Sequence, residues 1–141
     1  EELLITDLKM TRFHIMLDQA VMMVMWAIIN SKGGELFVPK IPSFYIKDLA
    51  KAVCKKCKIT KIGIRSGEKI DEEMISNFDS RNTFDLKDYY AIVPENLKTV
   101  YKKLNYKLVE SGFSYNSKEN KDFLNVSQLE KIVKKFKDQD R

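Results

Sequence analysis

The feature that most constrains this chain is Lys61–Met74, which reads Lys-Ile-Gly-Ile-Arg-Ser-Gly-Glu-Lys-Ile-Asp-Glu-Glu-Met. The apolar, β-leaning run Ile59–Ile64 stops at Arg65, breaks at Ser66-Gly67 and resumes as an amphipathic segment from Glu68. The pattern predicts a strand, a tight turn and a helix ending near Asn77, with a cation and a carboxylate at the turn. A guanidinium placed there can grip phosphate oxygens bidentately, and Glu68 can accept hydrogen bonds from sugar hydroxyls. The same two residues can instead pair with each other across a surface turn, and spacing alone favours that pairing over a ligand site.

The rest of the chain builds outward from that stretch. Leu3–Ile5 and Phe13–Met16 read as short extended segments. Asp18 opens a helix to about Ser31, where an acidic residue suits the positive end of the helix dipole. Ala20, Val21, Val24, Met25 and Ile28 form a helical stripe that Met22, Met23 and Trp26 widen, which predicts a helix buried on most sides. Gly33-Gly34 ends it, and Glu35–Pro39 follows as a short strand. Ser43 is placed as the N-cap of a helix over Phe44–Lys55 with Ile46, Leu49, Ala50 and Val53 on one face. Strand and helix thus alternate through the first half, which predicts an α/β fold rather than a bundle.

After Asn77 the pattern changes to short extended pieces, Ser80–Phe84 and Tyr89–Val93, then a helix begun by Pro94. Phe113–Tyr115 is extended. Ser127 as N-cap with Glu130 three residues on predicts a capping box for a final helix, whose stripe is Leu129, Ile132, Val133 and Phe136.

Several functions are disfavoured by what the chain lacks. The net charge of +5 is concentrated in Lys51–Lys61 and Lys131–Lys137. Without interleaved Arg or aromatic residues these runs read as solvated helix faces, not as a nucleic-acid footprint. The longest apolar run, Ala20–Ile29, is half of the ~20 residues a membrane span needs. No Gly-x-Gly-x-x-Gly is present, and Gly63 and Gly67 straddle a strand end, so no pyrophosphate cradle is expected. No Tyr is followed by Lys four residues later, and His14 is the only base for a Ser-His-Asp triad. Asp71, Glu72 and Glu73 read as a solvated first helical turn, so no metal site is expected either. Cys54 and Cys57 fall at a helix end rather than a helix start and lack two further ligands, which favours two free thiols and a reducing, cytoplasmic setting.

The residues also resemble a known family. Met10-Thr11-Arg12-Phe13, Gly34–Ser43 (Gly-Glu-Leu-Phe-Val-Pro-Lys-Ile-Pro-Ser), Asp48-Leu49-Ala50, Ile62–Lys69, Ser80-Arg81-Asn82-Thr83, Asp88-Tyr89-Tyr90 and the tail residues Gly112-Phe113, Tyr115, Ser117 and Asn120 are similar to the C-terminal third of bacterial UDP-N-acetylglucosamine 4,6-dehydratases. The Val-Pro-Lys-Ile-Pro-Ser form resembles the inverting members, which feed surface glycans. Such enzymes are extended short-chain dehydrogenases, with an NADP-binding Rossmann domain followed by a smaller substrate domain.

The resemblance implies that residues 1–141 are one C-terminal substrate-binding domain, with an α/β part at 1–77 and an extension at 78–141. It implies that Arg65 clamps the UDP diphosphate and Glu68 holds the ribose hydroxyls, with Thr11 and Arg12 as a second phosphate contact. The catalytic and cofactor-binding groups then belong to an upstream Rossmann half, so this chain by itself is expected to be inactive. Its apolar faces are expected to pack on that half or in a homo-oligomer. Two alternatives stand beside this reading: a UDP-amino-sugar epimerase of the same fold, and a stand-alone, non-catalytic binding module. Ser66 stands where the family usually has Pro, His14 where it has Trp, and Asp71 where it has His.

Overall fold

The computed structural model describes residues 2–139. In chain order the elements are β1 (Glu2–Ile5), β2 (Thr11–Phe13), α1 (Leu17–Asn30), β3 (Leu36–Pro39), β4 (Ser43–Tyr45), α2 (Ile46–Val53), β5 (Lys58–Lys61), β6 (Glu73–Ile75), β7 (Thr83–Asp85), β8 (Tyr89–Ile92), α3 (Lys98–Lys103), β9 (Lys107–Leu108), β10 (Tyr115–Asn116) and α4 (Val126–Gln139). The fold is mixed α/β. Glu1, Asp140 and Arg141, the ends of the expected 1–141 domain, lie outside the described residues.

The chain forms two compact units that interleave in sequence. The first takes the chain up to His14, Pro42–Glu72 and the chain from Ser117 onward; the second takes Ile15–Ile41 and Glu73–Asn116.

In the first unit β1 lies parallel to β5, from Glu2 opposite Lys58 to Ile5 opposite Lys61, and β2 lies antiparallel to β4. Helix α2 packs on α4, where Leu129 is buried and Lys55 reaches Glu130 at 2.8 Å. Two expected caps are corrected here. Ser43 is not an N-cap but the first residue of β4, and α2 begins at Ile46. Its buried hydroxyl accepts from Asn120 Nδ2 at 2.9 Å, so the side chain serves a distant segment instead of the next turn. At α4 the capping box is Asn125 and Gln128, whose side chains accept each other's backbone N–H at 3.0 and 2.9 Å. Ser127 therefore sits inside the helix.

In the second unit β3, β8, β7 and β9 form an antiparallel sheet in that order. Phe37 and Phe84 flank Ala91 across the register. The small alanine lets both rings close over one core with Val93 and Tyr101. Glu35 closes the loop after α1: its carboxylate accepts from Lys32 N and Gly33 N, both at 2.7 Å, and from Ser31 Oγ and Tyr101 Oη, both at 2.9 Å. Burial raises the Glu35 pKa, but these donors outweigh it and bring the carboxyl down to about 2.

Three further expectations are corrected. The segment after Gly67 is not a helix; it runs irregularly to Glu72 and then forms β6, which pairs with β10. Helix α1 has no buried residue, although its inner side places Trp26 against Phe37 and stacks it on Tyr89. Cys54 and Cys57 are not free thiols but a disulfide. The chain leaves α2 in extended conformation at Cys54, which brings the two Cα atoms to 5.5 Å, within the normal range for a bridge. The inference of a reducing compartment rested on free thiols and loses that support.

Candidate functional site

The four residues singled out by sequence come together in the first unit, around the turn that follows β5. Arg65 O accepts from Glu68 N at 3.1 Å, and Gly67 has φ +82° while Ser66 keeps a negative φ. That combination is a type II β-turn, which requires glycine at its third position. Glu68 closes the turn from the other side: its Oε2 accepts from Arg65 N at 3.0 Å. Its Oε1 accepts from Thr6 Oγ1 at 3.3 Å, which ties the turn to the end of β1.

Arg65 itself is exposed, and among the described residues its guanidinium has no hydrogen-bond or ion-pair partner. A cation held at a rigid turn with all its donors free is suited to an anionic ligand. The neighbouring Lys61 is differently placed, because it pairs with Asp7.

Thr11 and Arg12 support the loop from below. Thr11 is fully buried, and its hydroxyl lies 2.6 Å from both Asp71 Oδ1 and Ser117 Oγ. Its backbone N–H donates to Ile70 O at 3.0 Å. The Arg12 guanidinium donates to Thr11 O at 2.7 Å, Ile70 O at 3.1 Å and Lys69 O at 2.9 Å, and its Nε lies 3.3 Å from Glu72 Oε1. These contacts explain why residues 68–72 are not helical: side chains from β2 hold their carbonyls and carboxylates. The structure thus gathers all four expected residues. It leaves Arg65 open to a ligand, has Glu68 already engaged through both oxygens, and uses Thr11 and Arg12 as supports.

Sequence reasoning missed Asp71, Glu72 and Ser117 as parts of this support. The acidic pair reads as a solvated helical turn until Thr11 and Arg12 are seen to face it. Ser117 also receives Glu72 N at 2.8 Å and donates its own N–H to Glu72 O at 2.8 Å. His14 lies apart from these groups, edge-on to Phe44, with its buried Nε2 unpartnered. Burial there lowers the His14 pKa, because it disfavours the charged ring. Among the described residues no group of three or more His, Cys, Asp and Glu side chains is placed to hold a metal ion.

The second unit carries a cleft of about 350 Å³ lined by residues that include Asp18, Met22, Met23, Lys40, Asp88 and Tyr89. Lys40 is engaged there, 2.6 Å from Asp85 and 4.5 Å from the centre of the Tyr90 ring.

Residues 1–94 match the family described as polysaccharide biosynthesis protein. Over 94% of its length the chain is 41% identical to a UDP-N-acetylglucosamine 4,6-dehydratase (inverting) of Campylobacter jejuni, covering 42% of that relative. It is 34% identical, again over 94% of its length, to a UDP-glucose 4-epimerase of Rickettsia akari, covering 41% of it. The X-ray structure of Pen from Bacillus thuringiensis superposes with a TM-score of 0.79 at 32% identity, over 96% of this chain and 42% of that one. The chain spans about 42% of the length of the dehydratase it matches, in its C-terminal part.

Proposed function

The chain belongs to the polysaccharide biosynthesis protein family, and from that premise we propose that it is the UDP-sugar-binding part of an NADP-dependent, inverting UDP-N-acetylglucosamine 4,6-dehydratase serving bacterial surface-glycan synthesis. The observation that carries the proposal is the unpartnered Arg65 guanidinium on a turn closed by Glu68, with Thr11 and Arg12 holding the segment that follows it. In this reading Arg65 grips the diphosphate of the nucleotide sugar. Glu68 exchanges its Thr6 contact for a ribose hydroxyl while keeping its bond to Arg65 N. Thr11 and Arg12 act by holding the turn in place rather than by touching phosphate.

The dinucleotide belongs to an upstream part of the protein. The one parallel ladder among the described residues, β1 with β5, runs into the Arg65–Glu68 turn and then into irregular chain as far as Glu72. A pyrophosphate needs a helix N-terminus at that place, so these residues do not fit NADP. In this reading the chain contributes recognition of the sugar nucleotide alone.

An epimerase acting on a related UDP-sugar is the second reading, favoured by the Rickettsia akari match. Incubating UDP-N-acetylglucosamine with a protein that joins this chain to its upstream part separates the two. A product lighter by one water identifies a dehydratase; a product of unchanged mass with an altered sugar configuration identifies an epimerase. Turnover by the 141-residue chain without any upstream part would contradict both.

A further inference from the structure

The bridge between Cys54 and Cys57 joins near neighbours, with only Lys55 and Lys56 inside its loop. A cross-link restrains the unfolded chain less the shorter the loop it closes, so this one adds little to stability. The elements on either side are also held without it. Helix α2 packs on α4, and Cys54 N closes its last turn by donating to Ala50 O at 3.0 Å. Strand β5 pairs with β1 along its whole length, and Ile62 N continues the ladder by donating to Ile5 O at 2.9 Å.

The setting favours exchange at sulfur. Both cysteines are half-buried, and Lys55, Lys56 and Lys58 around them are exposed, so a thiol in solution can reach the bridge. Lys51, Lys55 and Lys58 are matched by Asp48 at 3.9 Å, Glu130 at 2.8 Å and Glu2 at 3.8 Å, whereas Lys56 has no ion pair among the described residues. A surplus cation beside a thiol stabilises its thiolate, and a more stable thiolate leaves faster when a disulfide is attacked. We propose that Cys54–Cys57 is an exchangeable redox couple, a modification site opened by a dithiol reductant, and not a structural staple. One thiolate of the dithiol attacks a bridge sulfur, the Cys54–Cys57 bond breaks and the other cysteine departs as thiolate. The dithiol's second thiolate then attacks the mixed disulfide, which releases the first cysteine and closes the dithiol's own disulfide. Two electrons pass to the pair, and the dithiol's two protons end on the released cysteines. The proposal does not rest on the nucleotide-sugar reading, because neither cysteine is among the residues assigned to it.

The test equilibrates the chain in mixtures of reduced and oxidised dithiothreitol, quenches with acid and counts alkylated thiols by mass. The pair should be half-reduced while oxidised dithiothreitol still exceeds reduced by at least about tenfold, and should close again when the ratio is raised. Circular dichroism and the exchange protection of Ile62 N and Gly63 N should be the same in both forms and in the Cys54→Ser/Cys57→Ser variant. In the reduced chain, alkylation by iodoacetamide at pH 7 should slow by at least about threefold when Lys55→Gln and Lys56→Gln are combined. A pair that opens only below that tenfold excess, or whose opening unfolds α2 and β5, is a structural bridge and overturns the proposal. An alkylation rate that ignores the two lysines overturns the role given to them.

Discussion

The Thr11 hydroxyl joins three chain segments at one buried point, and removing it tests how the ligand turn is supported. Thr11→Val keeps the volume and the branched Cβ that suit a strand, and deletes only the oxygen. Asp71 then loses a 2.6 Å charge-assisted hydrogen bond, and Ser117 Oγ loses one of its partners while keeping Glu72 N. A hydrogen bond to a charged group contributes about 1.5–3 kcal/mol, and an abandoned buried acceptor costs about 1–3 kcal/mol. Asp71 is only half-buried and recovers part of its loss from water, so a net local destabilisation of about 2–3 kcal/mol is expected.

Because the chain has two units, a local probe is preferable to a global melt. Hydrogen exchange at Glu72 N and Ser117 N, both bonded within this cluster, should accelerate by about 30- to 150-fold. A double-mutant cycle with Asp71→Asn should return a coupling of at least about 1 kcal/mol. Unchanged protection at Glu72 and Ser117, or full additivity in the cycle, would refute the reasoning.

Two further outcomes follow from the same geometry. Ser66 occupies the second position of a type II turn, where proline fixes the required φ and lowers the entropy of the unfolded chain; Ser66→Pro should stabilise the first unit by about 0.4–1 kcal/mol in urea unfolding, and a loss of stability would contradict the turn assignment. Glu35 has a folded pKa of about 2 against an ordinary 4.5, so the stability it contributes is complete above pH 4.5 and is lost as pH falls from there toward 2. Melting curves should show the gap between the native chain and Glu35→Gln closing across that window, and a gap that ignores pH would count against the carboxylate's role.

Much of this arrangement is legible in the residues. The Ser66-Gly67 break marks the turn because glycine adopts the left-handed φ found there without steric cost. The short strands around Leu36 and Tyr89 follow from apolar runs bounded by Gly and Pro. What the residues conceal is long-range. Glu68–Asn77 carries a helical pattern, but Thr11 and Ser117, 106 positions apart, claim its backbone and carboxylates first. Ser43 and Ser127 both look like caps; Asn120 recruits the first, and Asn125 with Gln128 pre-empts the second. Helix α1 reads as buried because composition reports that an apolar surface needs cover, not which molecule supplies it. The Cys-Lys-Lys-Cys stretch reads as free thiols until the extended geometry at Cys54 brings its ends together.

The role of Arg65 is the centre of the account, and calorimetric titration of UDP and UDP-N-acetylglucosamine tests it most directly. The native chain should bind both, and Arg65→Ala should lose at least about tenfold in affinity, the loss expected for one charge-assisted bidentate contact. Its circular dichroism should be unchanged, since Arg65 is exposed and its guanidinium has no hydrogen-bond or ion-pair partner among the described residues. Equal affinity for the native chain and Arg65→Ala would contradict the account.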